Sequence, residues 1–223
     1  MAGSVNPQMR DKRPLPDIGA ELARKAGSMR QGMTDRRSVR TRQLLMRAML
    51  ELMGSKRYDS ISVQELAEQA NVGRSTFYAH FAHKDDLIVD GARQLLARFD
   101  NDEPQHTGRG ARLYPTLALF RHVGQRADMY QTMARGRALP LFLTALQDEL
   151  AGVFENRLAA RVAPGDTPAV PLPLLASMIA SMLLTTMRTW IEDGSCLPAE
   201  VIDKLFHTVA GPAIRAGLRP QGA

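Results

Sequence analysis

The sequence has little cysteine, and what is missing already limits the chemistry open to the chain. Among 223 residues, Cys196 is the only cysteine. A single cysteine excludes an intramolecular disulfide and a cysteine-rich zinc site. A chain of this length can bury a sizeable core without either. We therefore expect a reducing, cytoplasmic compartment.

A second absence is a long, uninterrupted apolar run. Residues 172–187 are mostly apolar, and no charged residue occurs between Asp166 and Arg188. A membrane-spanning helix needs about 20 consecutive, predominantly apolar residues. Prolines at 168, 171 and 173 and several hydroxyl residues interrupt this stretch. The pattern favours a buried helix or a subunit interface over a membrane span. Residues 1–13 also have no apolar core of the kind that a secretory signal requires.

Motifs of the common enzyme classes are absent as well. The sequence has no Gly-x-Ser-x-Gly elbow, no phosphate-binding loop and no His-Glu-x-x-His pair. His80 and His83 have a spacing that could share a metal on a helix, but only Asp85 or Asp86 could serve as a nearby third ligand. We therefore predict no enzymatic activity, no cofactor and no metal.

The positive charge is concentrated at the beginning of the chain. The net charge is +6, and residues 1–43 contain ten Lys/Arg and four Asp/Glu, a local excess of 10 − 4 = +6. A basic end on a near-neutral body indicates a polyanionic partner, nucleic acid before membrane. A solvated basic tail explains the charge equally well. Residues 1–34 lack sustained apolar periodicity and are predicted to form a flexible arm, with a short helix near residues 18–26 as the one element it could contain.

Apolar spacing predicts an all-α protein. Leu45, Ala48, Met49 and Leu52 recur at i, i+3, i+4 and i+7, as one stripe of a helix does. Later helices are predicted at 111–124, 128–134, 138–162, 174–192 and 198–217, separated by turn-rich breaks. We expect a helix-turn-helix unit over residues 35–83, a larger helical domain over 84–217 and a tail from 218 to 223.

The segment around residue 75 has the spacing of a helix-turn-helix. Ser62 and Glu65 form a capping-box pattern before a short helix that runs to Ala70. Asn71 suits the left-handed backbone of a tight turn. A third short helix is predicted over residues 73–80, packed steeply on the second.

The two faces of that third helix differ in chemistry. At 100° per residue, Phe77 and Phe81 share the side that faces back toward the second helix. Ser75 and Ala79 lie opposite, and Tyr78 directs its hydroxyl outward. An outer face of small and hydrogen-bonding residues lets a helix enter the DNA major groove.

Residues 42–87 resemble the DNA-binding region of the TetR-type bacterial transcriptional repressors. The shared pattern begins with an arginine followed by apolar residues, continues through a Thr/Ser-capped second helix, and ends in Tyr-x-x-Phe-x-x-Lys. Here it is carried by Arg42, Leu45, Met46, Ala48, Ser62, Val63, Leu66, Ala67, Tyr78, Phe81, Lys84 and Leu87. The sequence departs from the family pattern at two positions. Asn71 stands where the family usually has Gly. His83 stands where the family often has Ser, so the usual side-chain cap of the next helix is not expected here.

The resemblance implies a set of DNA contacts. Phosphate contacts are implied for Ser62, Tyr78, His80 and Lys84, and base or mixed contacts for Arg74, Ser75 and Thr76; Arg42 completes the predicted DNA-binding set. For Tyr78 the alternative is packing within an aromatic cluster. For His80 the alternative is an orienting role inside the monomer.

The resemblance also implies a rear domain that dimerises and often holds a small molecule. We expect a homodimer through helices 174–192 and 198–217, with ordinary intrachain packing as the alternative. An apolar effector would release DNA from a pseudo-palindromic operator. Residues suited to an adaptable pocket are Tyr114, Phe120, Met129, Met133, Phe142, Met178 and Met182, and plain core is the alternative for each. A protein-interaction module remains a rival function, which steep salt dependence of binding would exclude.

Overall fold

The computed structural model describes residues 18–100 and 113–220, and side-chain environments are described for 37–99 and 113–220. The chain divides into two units, Met1–Thr41 and Arg42–Ala223. Within the described ranges there are nine α-helices and no strand, which confirms the predicted all-α class. The helices are α1 (Ile18–Ser55), α2 (Val63–Gln69), α3 (Arg74–Tyr78), α4 (Lys84–Asp100), α5 (Thr116–Gly124), α6 (Ala127–Ala134), α7 (Ala138–Ala159), α8 (Leu172–Glu192) and α9 (Ala199–Gly217).

The later helices lie close to their predicted positions. Helices α6 to α9 begin within two residues of the predicted starts, because the proline-containing and glycine-containing breaks were recognisable. Helix α5 begins at Thr116 behind Pro115, five residues after its predicted start. Residues 111 and 112 lie outside the described part. The third helix is shorter than predicted and covers only Arg74–Tyr78.

Helix α1 differs most from its prediction. The expected short helix near residues 18–26 is the beginning of a continuous 38-residue helix. The helix expected near residues 18–26 is therefore much longer than predicted, whereas the arm as a domain stays a prediction. No proline occurs between Pro16 and Pro104, and this segment is rich in Ala, Arg, Leu and Met, which are good helix formers. Intrinsic propensity thus explains a helix that apolar periodicity does not reveal. Residues 1–17 lie outside the described part.

A small apolar core holds the helix-turn-helix region together. Leu45 and Met49 from α1, Leu66 from α2, Phe77 from α3 and Leu87 from α4 are all fully buried, at 0% exposure. Burying a side chain of this size contributes about 1.5–3 kcal/mol relative to leaving it in water. One cluster of apolar residues therefore holds parts of four helices together, and two of these, α2 and α3, are too short to be stable alone.

The rear helices pack through a larger apolar core. Leu146 and Leu150 of α7 and Ala180, Leu183 and Met187 of α8 are completely buried. Helix α8 is long and apolar enough to cross a membrane by length and composition, but half of its most apolar window is buried inside the protein. That burial agrees with the prediction of a core or interface helix.

The turn between α8 and α9 is anchored by a tryptophan. Gly194 and Ser195 adopt left-handed backbone angles, with φ of 73° and 54°. The indole Nε1–H of Trp190 donates to the carbonyl of Leu197 at 3.0 Å, across the turn. The ring of Trp190 also packs edge-on against Phe120, with centroids 5.7 Å apart. The turn is therefore tied to α5 as well as to its own two helices.

The domain boundaries that the sequence predicts at residues 34, 83 and 217 stay predictions.

Candidate nucleic-acid interface

The second helix is fixed at its start by the predicted capping box. Ser62 Oγ accepts from the backbone N–H of Glu65 at 3.2 Å, and Glu65 Oε2 accepts from the backbone N–H of Ser62 at 3.0 Å. Lys56 also donates to the Glu65 carboxylate. The Lys56 hydrogen bond, followed by those from Ser62, lowers the pKa of Glu65 to about 2. Glu65 is therefore ionised at neutral pH and holds the helix start firmly.

The tight turn after α2 orients the third helix. Asn71 has φ of 52°, the left-handed backbone predicted for it. The N–H of Val72 donates to the carbonyl of Ala67 at 2.9 Å and closes the helix end. Asn tolerates this conformation better than most residues do, so the turn does not need the glycine usual in similar proteins.

Helix α3 presents the predicted faces. Phe77 and Phe81 are buried, at 0% and 6% exposure, whereas the Tyr78 side chain is half exposed at 50%. Ser75 and Ala79 are exposed. The helix has only five residues, so its outward surface is small and its exposed side chains are short apart from Arg74 and Tyr78.

Arg74 and Tyr78 form a pair on this outward surface. The guanidinium carbon of Arg74 lies 5.9 Å from the centre of the Tyr78 ring. Tyr78 also meets Phe77 edge-on, with centroids 5.4 Å apart. Phe77 thus supports the tyrosine ring from the core side while its outer part stays exposed. An aromatic ring under a guanidinium restricts where the cation can point.

Thr76 and His80 lie beside the exposed face rather than on it. Both are half-buried, and the His80 ring centre is 6.4 Å from that of Phe81. An orienting role inside the monomer and a phosphate contact both remain compatible with this position of His80. Ser62 is exposed, but its hydroxyl contacts the Glu65 carboxylate at 2.9 Å. A phosphate would have to compete with that contact.

Lys84 occupies a position different from the predicted one. Its ammonium donates to the carbonyls of Tyr58, Asp59 and Ile61 at 2.9, 3.1 and 2.8 Å. The ammonium group also lies 4.7 Å from the centre of the Tyr58 ring. An ammonium has three N–H donors, and these carbonyls take all of them. Lys84 therefore stabilises the turn at residues 58–61, and its geometry does not support the predicted phosphate contact.

Arg42 is likewise engaged within the protein. Its guanidinium lies 3.5 Å from the Asp90 carboxylate and 6.0 Å from the centre of the Phe81 ring. It thereby ties the second half of α1 to α4 and to Phe81, which lies between α3 and α4. The start of α4 has no side-chain cap from His83; instead, Asp86 accepts from the backbone N–H of His83 at 2.8 Å.

A contact that the sequence did not reveal joins the helix-turn-helix to the corner between α6 and α7. Arg137, in that corner, forms ion pairs with Asp59 at 3.4 Å and Asp85 at 3.0 Å. Asp85 also accepts from the Tyr58 hydroxyl. Arg137 stands in a segment predicted only as a turn, and its partners are far away in sequence. No local pattern could have identified it.

The seven predicted pocket residues differ widely in their exposure to solvent. Tyr114, Phe120, Met133 and Phe142 are buried, Met129 and Met182 are half-buried, and Met178 is exposed at 55%. The prediction that Met178 faces an interior pocket is therefore wrong, because α8 turns this residue outward, one helical turn beyond exposed Leu174. The buried aromatics pair with other rings, as Tyr114 does with Phe154 and Phe142 does with Tyr130.

Open grooves in the part of the chain that the structure describes include two that border α9. One, of about 470 Å³, lies between α5 and α9 and is lined by Leu117, Glu200, Asp203, Lys204, His207 and Thr208. The other, of about 410 Å³, lies at the α8–α9 turn and is lined by Thr185, Thr186, Thr189, Trp190, Asp193, Cys196, Leu197 and Ile202. Neither contains a predicted pocket residue.

Comparison with known families agrees with the resemblance read from the sequence. Residues 45–90 match the model of the bacterial regulatory proteins of the tetR family. This segment contains α2, α3, the start of α4 and the capping box that orients them.

Curated relatives are all helix-turn-helix transcriptional regulators. YxbF of Bacillus subtilis is 40% identical over 55 residues, which are 24% of this chain and 14% of YxbF. DhaS of Lactococcus lactis, an operon activator, is 28% identical over 43% of this chain and half of its own length. KstR of Rhodococcus jostii, a repressor, is 24% identical over 75% of this chain and 80% of its own.

Solved structures extend the likeness to most of the chain. A TetR-family transcriptional regulator of Syntrophomonas wolfei superposes with a TM-score of 0.61 at 18% identity. The superposition covers 78% of this chain and 95% of that one. The shared architecture is thus a helix-turn-helix followed by a helical domain.

Proposed function

Because residues 45–90 match the tetR family model, we propose that this chain is a TetR-family transcriptional regulator, a cytoplasmic repressor that binds a pseudo-palindromic DNA operator as a homodimer. The observation that carries the proposal is the division of α3 between buried Phe77 and exposed Ser75, Tyr78 and Ala79. A short helix with small residues on its outer face can approach base edges closely.

Each exposed residue of this surface has a role in the proposal. Tyr78 contacts a phosphate through its hydroxyl, and Arg74 and Ser75 contact bases or phosphates. Thr76, beside them, likewise contacts a base or a phosphate, and His80 and Ser62 contact phosphates from the edge of the surface. Lys84 and Arg42 position the helices without contacting DNA, since their charged groups already have partners within the protein. Phosphate contacts fix the position of a protein on DNA, whereas base contacts select the sequence.

Dimerisation through α8 and α9 is supported by apolar side chains left in water. Those of α8 are Leu174 and Met178, at 54% and 55% exposure. Those of α9 are Val201, Leu205 and Val209, at 39%, 52% and 59%, spaced four residues apart on one face. A contiguous apolar surface of this kind marks an interaction site. A second copy of the same two helices is the occupant that we propose, and two α3 helices would then lie about one DNA turn, roughly 34–36 Å, apart.

Release by an apolar effector is the remaining part of the proposal. Phe120, Met133 and Phe142 are buried among α5 to α8, so an effector would have to displace side chains to enter. It would favour a rear-domain arrangement in which the two α3 helices have the wrong spacing for DNA.

The primary experiment is selection from a random duplex library with purified protein at near-physiological salt, followed by sequencing. We expect an enriched inverted repeat whose half-sites lie about one helical turn apart. No enrichment, with retention that only fades as salt rises, would contradict sequence-specific regulation and favour a protein-interaction module.

Variants of α3 then separate positioning from sequence selection. Tyr78→Phe should weaken all duplexes alike and preserve their ranking, because a phosphate contact carries no sequence information. Arg74→Ala should cost about 1–3 kcal/mol on the preferred duplex and relax selection at one base position if Arg74 reads a base. A changed ranking with Tyr78→Phe would overturn its phosphate role.

A further inference from the structure

The corner between α6 and α7 lies directly against the helix-turn-helix. Arg137 Nε is 3.4 Å from Asp59 Oδ1, and another guanidinium nitrogen is 3.0 Å from Asp85 Oδ2. The preceding residue, Gly136, brings its backbone equally close. A Cβ placed on it would lie 3.5 Å from Asp59 Oδ2 and 3.7 Å from Tyr58 Cβ. One corner of the rear helices thus contacts two separate segments of the front region.

The two segments that Arg137 reaches are themselves joined. The Tyr58 hydroxyl donates to Asp85, and the ring of Tyr58 is 2% exposed. Lys84, the first residue of α4, donates to the carbonyls of Tyr58, Asp59 and Ile61. Burial, and then the hydrogen bond to Asp85, raises the pKa of Tyr58, so the hydroxyl remains a donor at any physiological pH. The 58–60 turn and the start of α4 therefore form one unit that Arg137 holds.

We propose that Arg137 is a positioning residue that clamps this unit to the α6–α7 corner and so sets the orientation of α3 relative to the rear helices. The inference rests on the proposed DNA-binding function. It identifies the contact through which a rearrangement of α6 or α7 would reach the DNA-contacting helix.

Arginine suits this role because its planar guanidinium can meet two carboxylates from different directions, which a lysine ammonium does less well. Each ion pair is partly exposed, with side-chain exposures of 55% for Arg137, 49% for Asp59 and 31% for Asp85. Exposed pairs are individually weak. Ion pairs of this strength favour one orientation of α3 without fixing it. An effector of ordinary affinity could therefore shift α3 to another orientation.

Loss of the clamp should act on DNA affinity through the population of the competent orientation. If only a fraction of molecules holds α3 correctly, the apparent Kd rises by the inverse of that fraction. Arg137→Gln should therefore weaken binding to the selected operator about threefold to tenfold. The dependence of log Kd on log salt concentration should stay unchanged, because no phosphate contact is removed.

Arg135→Gln is the matched control. Arg135 is an exposed arginine two residues earlier in the same corner, and it forms no ion pair with the described residues. Its replacement removes the same charge without touching Asp59 or Asp85, so operator affinity should stay within about twofold of the wild type. Equal weakening by both variants would overturn the clamp and indicate a general effect of charge.

Amide hydrogen exchange tests the clamp without DNA. In Arg137→Gln, amides of residues 58–61 and of the first turn of α4 should exchange faster, while those of α8 should not change. Unchanged exchange at residues 58–61 overturns the clamp even if the protein binds an operator. Faster exchange supports the clamp even if selection yields no operator, in which case only the proposed function fails.

Two further outcomes are decisive. Asp59→Asn should cause part of the loss of operator affinity that Arg137→Gln causes. The double variant should bind the operator no more weakly than Arg137→Gln alone, because both changes break the same contact. Full additivity would overturn the proposal. A fall of about one in the salt slope of Arg137→Gln would also overturn it, because it would show that Arg137 contacts a phosphate directly.

Discussion

The helix-turn-helix region and the last two helices are stabilised in different ways. In the front region, a small core is surrounded by directional polar contacts, among them the Ser62–Glu65 capping box and the three hydrogen bonds of Lys84. In α8 and α9, apolar residues occur both in the core and on the exposed face. A hydrogen bond shows which two groups a residue joins. An apolar face shows only that a helix packs against something, and it does not show what that partner is.

The largest expected effect tests the rear region by comparing two leucines. Leu183 is fully buried in α8 and Leu205 is 52% exposed on α9. Leu183→Ala should lower the free energy of unfolding by about 2–5 kcal/mol, because it leaves a cavity. Leu205→Ala should matter only through the dimer, so its effect on the unfolding temperature should depend on protein concentration. Concentration-independent losses of equal size would contradict the distinction between core and interface.

A second test removes the polar anchor of the front region. Lys84→Met keeps the alkyl chain but leaves three carbonyls without their donor, two of them in partly buried hydrogen bonds, and it should cost about 2–4 kcal/mol in chemical denaturation. Lys204→Met is the control, because Lys204 is exposed on α9. That change should stay within about 0.5 kcal/mol of the wild type. If Lys84→Met is equally mild, the anchor contributes little, and its ammonium becomes available for a phosphate contact.

The capping box gives a smaller effect confined to one helix end. Ser62→Ala should destabilise the protein by about 1 kcal/mol, since the N–H of Glu65 loses its acceptor. Ser62→Asn supplies another good cap and should restore most of that loss. If the asparagine variant is as unstable as the alanine variant, capping is not the reason for the loss. Denaturant titration of the three proteins decides the point.

The smallest expected effect is a pH dependence of the same helix end. The pKa of Glu65 is lowered to about 2 in the folded protein from an ordinary value of 4.5. Its stabilising contribution is therefore complete above about pH 4.5 and is lost as the pH falls toward 2. The difference in unfolding temperature between the wild type and Glu65→Gln should shrink over this interval. A constant difference from pH 6 to pH 2 would contradict the assignment.

The same contrast explains how far the sequence could be interpreted. Asn71, the capping box and the buried and exposed sides of α3 follow from local spacing and are confirmed. The role of Lys84 and the position of Arg137 depend on partners distant in the sequence, which no local spacing reports. Met178 has the apolar periodicity of a core residue yet faces outward. Periodicity cannot distinguish a core from an interface, because both bury apolar side chains.

The anchoring of Trp190 gives the protein an optical label of its own. Trp190 is the only tryptophan in the chain, and its indole contacts Phe120 of α5 and the carbonyl of Leu197 in the α8–α9 turn. It also lines the groove at that turn. Emission from this single fluorophore therefore reports on one place, the α8–α9 turn where it meets α5. A change in its emission wavelength during dilution or ligand titration would therefore test the proposed dimer and the proposed effector in the unmodified protein.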